Sequence, residues 1–338
     1  MVTIKDIARE GGVSVSTVSR ALADSPLLPQ ATCVKIKEIA TRLGYVKNEV
    51  ASSLKRGASQ TIGVLSFLDD ALGFSHPLFA DILEGIAKQL NACDYEILLL
   101  SDHLSEDADQ LISSLCAKNL SGVLILWGSL QSQKVKKLIE SDIPTVLIDG
   151  FDDEMTAMTN FVTSTNEIGM YDLTKEILRK GHTNIVYLCG NDYYVTRERI
   201  KGFCRALQEQ GITYNDSMFH PAEYYRLSNV KEIIEQLLAR KNPPTCMIFP
   251  DDYCAVTAYG ILRDKGYTIG KDISVAGFDG LGIGQYAQPR LTTVNQDMGA
   301  VGKRAAGVLL QKIRGDVESN VQFVPTKLII GESICDLT

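Results

Sequence analysis

No apolar run in this 338-residue chain approaches the roughly 20 residues that a membrane span requires. Met1 leads straight into a charged amphipathic stretch and not into a secretory leader, so a cytoplasmic protein is expected. The eight cysteines (33, 93, 116, 189, 204, 246, 254 and 335) include no Cys-x-x-Cys pair, and no histidine is spaced to share a metal with them. That pattern argues against a zinc site and leaves the thiols as small buried hydrophobes in a reducing compartment. Histidine occurs four times and tryptophan once, and no P-loop, Gly-x-Ser-x-Gly or His-Glu-x-x-His is present. Gly282-Ile-Gly-Gln-Tyr-Ala287 has the outline of a dinucleotide fingerprint, but no acidic residue follows about 20 positions later on a second strand, as a ribose contact needs. It reads as a glycine-rich loop. Neither a cofactor nor an enzymatic activity is expected.

Positive charge is scarce overall, with a formal net charge of −7, but it is unevenly spread. Residues 1–60 hold nine Lys/Arg against five Asp/Glu, a net of +4, while the remainder holds 25 against 36, a net of −11. A basic head on an acidic body suits a protein that meets phosphates with one end only.

That head begins Thr3-Ile-Lys-Asp-Ile-Ala-Arg-Glu-Gly-Gly-Val-Ser-Val-Ser-Thr-Val-Ser-Arg-Ala-Leu22. The pattern predicts two short helices broken at Gly11-Gly12, with Ile4, Ile7 and Ala8 on one apolar face and Val18 and Leu22 on the other. Ser14 stands where an N-cap belongs. Val15, Ser16, Thr17, Ser19 and Arg20 then point outward, a set of small polar groups, one aliphatic and one forked cation, suited to reading base edges in a major groove. A third helix is predicted from about Gln30 to Leu43, with Ile36, Ile39, Ala40 and Leu43 inward and Gly44 as its stop. Asn48–Gly57 has a cap and an apolar side (Val50, Ala51, Leu54), but so short a helix folds only when held.

From Thr61 onward, Ile-, Leu- and Val-rich runs of strand length alternate with amphipathic stretches. We place strands near 61–67, 95–100, 122–127, 145–148, 160–164, 184–189, 245–249 and 273–278, and eight helices between and after them, the last near 296–313. This alternation predicts parallel sheets covered on both faces. About 280 residues of it exceed one comfortable sheet, so two lobes are expected, their strand carboxyl ends facing each other across a cleft. Asp69, Phe79, Trp127, Arg199, Tyr224, Asp251, Asp252 and Asp279 fall at strand ends or first helical turns. Carboxylates for paired hydroxyls, an arginine fork and aromatic faces are the components of a sugar or polyol site.

The run from Thr3 to Arg20 resembles the headpiece of the LacI/GalR family of bacterial transcriptional regulators, with Gly11 in place of the usual alanine. More loosely, the resemblance spans the whole chain. It implies a helix-turn-helix headpiece over 1–46, a hinge helix over 47–59 and a periplasmic-binding-protein-like body over 60–338. Lobe 1 would take about 60–159 and 293–324, and lobe 2 about 160–290 and 326–338, with crossings near 157–161, 289–297 and 323–327. The DNA-facing set then comprises Thr3, Val15, Ser16, Thr17, Ser19 and Arg20 with Asn48, Ala51 and Leu54 of the hinge, Leu54 as an apolar wedge in a minor-groove step. Lys47 and Ser52 depart from the family's usual hinge proline and arginine. The resemblance places Arg199, Tyr224, Asp279 and Phe79 at the effector, while Thr165-Asn166 and Asp251 depart from the family's Asp-Asn and Asn.

The expected function is a sequence-specific regulator, a repressor of carbohydrate-utilisation genes, working as a homodimer on palindromic operator DNA. A small-molecule effector, a sugar or sugar derivative, would control it. No apolar heptad follows Ile334, so nothing beyond a dimer is expected. One alternative puts control in a phosphorylated carrier protein docked near Asp297 and Arg304. A second, from another class, is a soluble sugar-handling enzyme with a fortuitous headpiece.

Overall fold

The computed structural model describes residues 2–22, 25–45, 59–67, 73–102, 107–128, 132–149, 160–224, 229–316 and 321–338. The hinge residues Asn48, Ala51 and Leu54 and the cleft residue Asp69 lie outside them. The chain divides into two compact units, Met1–Ser59 and Gln60–Thr338.

In the first unit α1 (Ile4–Gly11) is closed at its start by a reciprocal cap, in which the Asp6 carboxylate accepts from the Thr3 backbone N–H (2.9 Å) and hydroxyl (2.7 Å). It stops because Gly12 takes a left-handed conformation (φ 64°) that a side chain would strain. In α2 (Val15–Leu22) the Ser14 hydroxyl oxygen accepts the Thr17 N–H at 3.1 Å. Pro29 leads into α3 (Gln30–Arg42). Ile7, Val18, Ala21 and Ile36 are wholly buried between the three helices, with Ala8, Cys33, Ile39 and Ala40 around them.

The second unit opens with a six-stranded, all-parallel sheet built from β1 (Thr61–Phe67), β2 (Glu96–Asp102), β3 (Gly122–Leu126), β4 (Thr145–Ile148), β5 (Phe161–Ser164) and β11 (Val321–Val324), in the order β11-β5-β4-β3-β1-β2. Helices α4 (Phe79–Asn91) and α12 (Met298–Arg314) cover one face through Ile82, Ile86, Val301 and Leu309. Helices α5 (Ala108–Ala117) and α6 (Gln133–Glu140) cover the other through Leu111, Leu115, Val135 and Leu138. Burial on both faces is why these strands read as unbroken apolar runs. Helices α4 and α12 cross closely: a Cβ at Gly85 would lie 1.9 Å from the Gly299 carbonyl oxygen.

A second parallel sheet, β7-β6-β8-β9, uses β6 (Ile185–Cys189), β7 (Phe219–Pro221), β8 (Cys246–Ile248) and β9 (Ser274–Ala276). Helices α7 (Asn166–Arg179) and α8 (Tyr194–Glu209) pack on one face, and α9 (Val230–Leu238) and α10 (Asp252–Asp264) on the other.

Several details differ from the sequence reading. Residues 161–164, assigned there to the second lobe, form β5 and pair with β4 and β11 in the first sheet, so the chain leaves that sheet only after Ser164. The segments read as plain connectors are β10 (Thr293–Gln296) and β12 (Thr326–Ile329), which pair antiparallel with each other. The glycine-rich loop is a short helix, α11 (Gly282–Tyr286). All eight cysteines are free thiols, but Cys93 and Cys116 are exposed and not buried as expected. His182 is buried and held by Thr245, Ser274 and the Cys335 carbonyl. Among the described residues no helix is long and apolar enough to cross a membrane, and no group of side chains is placed to hold a metal ion.

Candidate DNA interface and effector cleft

Helix α2 buries Val18 and Ala21 and turns Val15, Ser16 and Arg20 outward, with Val15 43% exposed and Ser19 half-buried. Thr17 is partly committed to structure, since its hydroxyl lies 2.9 Å from that of Ser14. Thr3, expected to face DNA, spends its hydroxyl on the Asp6 cap, and these hydrogen bonds hold the Asp6 carboxyl below its ordinary range. The acids of α1 are paired, Asp6 with Arg9 and Glu10 with Arg42. That pairing offsets the charge that would repel a phosphate backbone.

In the body the strand carboxyl ends bring polar groups inward. Arg199, on the second turn of α8 and only 3% exposed, donates from Nε to Asn166 Oδ1 (2.8 Å) and from Nη1 to the Pro250 carbonyl (2.9 Å). Its Nη2 lies 3.5 Å from Asp279 Oδ1. Phe278 supplies a ring 3.7 Å beneath the guanidinium, and Tyr224 stands 5.7 Å away with its hydroxyl 2.8 Å from that of Thr196. Asp279 Oδ1 also accepts from Gln296 Nε2 at 2.7 Å. The Gln296 side-chain oxygen Oε1 accepts from the Ser164 hydroxyl. Asn166 Nδ2 donates back to the Ser164 carbonyl at 3.1 Å. Ser164, Gln296, Asp279, Arg199 and Asn166 thus close a ring of buried polar contacts. Such a ring is costly to break, because each severed bond leaves a buried partner unsatisfied.

On the first sheet Trp127 follows β3 and Asp149 follows β4, both with left-handed backbones (φ 51° and 54°), and Asp279 beyond β9 is a third (φ 103°). Asp94 and Asn119 share that backbone in turns before β2 and β3, so the three at strand carboxyl ends are candidates for a ligand site on the strength of their position. Trp127 stacks on His76, centroids 3.9 Å apart, and burial pushes the His76 imidazole down to about 3, so it is neutral. The Asp149 carboxyl is pushed up to about 6 by burial, against which the Thr163 hydroxyl and the Arg199 charge pull down.

The structure therefore gathers Arg199, Tyr224 and Asp279, and Asp251 lies one residue beyond the carbonyl that Arg199 grips. Trp127 belongs to the first sheet, where Phe79 opens α4 as a core residue with its ring 5.0 Å from Phe74. Asp251, not Asp252, caps α10, accepting the Cys254 N–H at 2.8 Å. Asp252 instead ties α10 to the Leu281 N–H and the Thr293 hydroxyl. Asp149 and Gln296 were missed. Asp149 was visible as an acid closing the run Thr145–Ile148, whereas Gln296 lay in a stretch read as a connector. The proposed carrier-docking pair is occupied within the chain: Asp297 caps α12 at Ala300 and Arg304 donates to Gln322.

Residues 3–48 match the bacterial regulatory proteins of the lacI family, and residues 174–334 match the periplasmic binding protein-like domain. The HTH-type transcriptional repressor PurR of Photobacterium profundum is 30% identical over 342 residues, covering 100% of both chains. Among solved structures, a lac repressor dimer bound to operator and the anti-inducer ONPF superposes with a TM-score of 0.85 at 23% identity, covering 99% of each chain. The transcriptional regulator CelR–cellobiose complex gives 0.74 at 24%, covering 98% of this chain and 100% of the other. Matched along its whole length and carrying that headpiece, the chain belongs to the LacI family of bacterial regulatory proteins, which are DNA-binding transcriptional repressors and not enzymes.

Proposed function

We propose that two copies of this chain bind the halves of a palindromic operator through α2, and that a small polyhydroxylated effector, a sugar or sugar derivative, sits between the lobes and sets operator affinity. The target genes would serve carbohydrate use. The carrying observation is the outward face of α2, where Val15, Ser16 and Arg20 stay in solvent while the neighbouring acids are paired. Arg20 makes the bidentate guanine contact, and Val15 and Ser16 set the adjacent bases. A two-fold dimer imposes its symmetry on the site. Asn48, Ala51 and Leu54 complete the DNA contacts from the hinge.

The effector reading is supported by carboxylates and aromatic rings at the strand ends, and by the sugar held in the CelR–cellobiose complex. The effector acts through its differential affinity for two lobe arrangements, a coupling of about 1–3 kcal/mol. Asp69 and Phe79 belong to the proposed effector set with Trp127, Arg199, Tyr224, Asp251 and Asp279.

Binding-site selection with the full chain tests the DNA assignment. Arg20→Ala should cost about 1–3 kcal/mol and relax one base position. An unchanged selected motif would remove that role from Arg20. A thermal-shift screen of sugars, repeated with the selected operator, tests the effector, since a true effector stabilises the body and linkage fixes its sign on DNA.

A further inference from the structure

Among the described residues Arg199 is the cation beside Asp279, and its positive charge is spent within the protein. Its nitrogens face the Asn166 amide oxygen, the Pro250 carbonyl and the Asp279 carboxylate, and the Phe278 ring covers one side of the guanidinium. Asp279 offsets that charge, and Asp149 adds a second carboxylate to the cluster, its oxygen accepting from the Thr163 hydroxyl. His76, the titratable group against Trp127, is held neutral by burial. Burial and the nearby Asp279 charge raise the Asp252 carboxyl above its ordinary range, and its two oxygens already accept from the Leu281 N–H and the Thr293 hydroxyl. Among the described residues, the groups around Arg199 are therefore carboxylate acceptors and ring faces. An anion entering here would meet carboxylates, while the guanidinium nitrogens already face protein partners. In a partly desolvated site such like-charge juxtaposition rejects a ligand outright.

We propose that this cleft admits effectors carrying no negative charge and presenting hydroxyl or ammonium donors, and excludes phosphorylated or carboxylated ones. The inference rests on the reading of the cleft as the effector site and narrows its ligand class.

Trp127 is the chain's single tryptophan and stands at the cleft, partly exposed, so its fluorescence samples the local field without any ligand being known. Stern–Volmer quenching of the full chain by caesium, iodide and acrylamide at constant ionic strength and pH 7.5 is the test. After normalisation to free N-acetyltryptophanamide, caesium should quench better than iodide by about twofold or more, as expected beside a negative potential. Asp149→Asn and, separately, Asp279→Asn should each shrink that ratio. Iodide quenching equal to or above caesium overturns the proposal, and so does a ratio that neither variant changes. A second arm titrates glucose against glucose 6-phosphate, ribose against ribose 5-phosphate, and glucosamine, following Trp127 emission. A phosphate ester that binds as well as its neutral partner overturns the proposal. A tenfold or greater loss on phosphorylation supports it. If no compound shifts the emission, the quenching ratio decides alone. A compound that alters operator binding without moving Trp127 would take the effector out of this cleft, a failure of the parent reading that leaves the measured charge standing.

Discussion

The headpiece and the body spend their polar residues in opposite ways. Among the described headpiece residues eight form the buried core, all of them apolar, and Val15, Ser16 and Arg20 stay on the surface. In the body Ser164, Asn166, Arg199, Asp279 and Gln296 are buried and bonded to one another, so the proposed effector site is part of the interior. A surface site can change its residues with little structural cost, whereas an interior one couples each change to stability.

Ile36→Ala gives the largest expected effect and tests that division. It should cost about 2–5 kcal/mol, enough to unfold a unit this small. Calorimetry should show the headpiece transition lost and the body transition unmoved. A body transition that falls along with it would break the comparison. Next comes Asp149→Asn, which removes a charge the fold holds unfavourably. The folded-state pKa of Asp149 is raised to about 6, so the folded protein binds its proton more readily than the unfolded chain, and wild-type stability falls as pH rises through 4 to 6. At pH 7.5 the variant should be more stable by about 1–3 kcal/mol, provided the amide keeps the Thr163 bond, and the two should converge as pH drops toward 4. Denaturant midpoints at pH 4.5 and 7.5 measure this, and a gap that widens on acidification would refute it. The smallest effect is Ser14→Ala, a lost helix cap worth about 1 kcal/mol. It should appear as a lower headpiece melting temperature and a weaker operator complex with an unchanged base preference.

Legibility followed the same division. The helix breaks at Gly12 and Gly44, the cap at Ser14 and the outward face of α2 could be read because local spacing alone decides them. Most strands could be read too, since burial on both faces leaves a continuous apolar run. The capping role of Thr3 was not read, because a threonine that caps and one that touches DNA look alike in sequence. β10 and β12 escaped because each is a four-residue strand whose partner is at least 30 positions away, and the Ser164–Gln296 bond spans 132 positions. No local pattern encodes such a closure. That Arg199 braces the protein against itself follows only from the tertiary arrangement.

The five-membered polar ring also constrains how the molecule can diversify. Replacing any one member strands a partner in the interior, so viable descendants must alter two positions together or leave the ring untouched. New ligand preferences should therefore arise first at Trp127, Tyr224 and Asp149 around the ring, with the five braced positions drifting only as matched pairs.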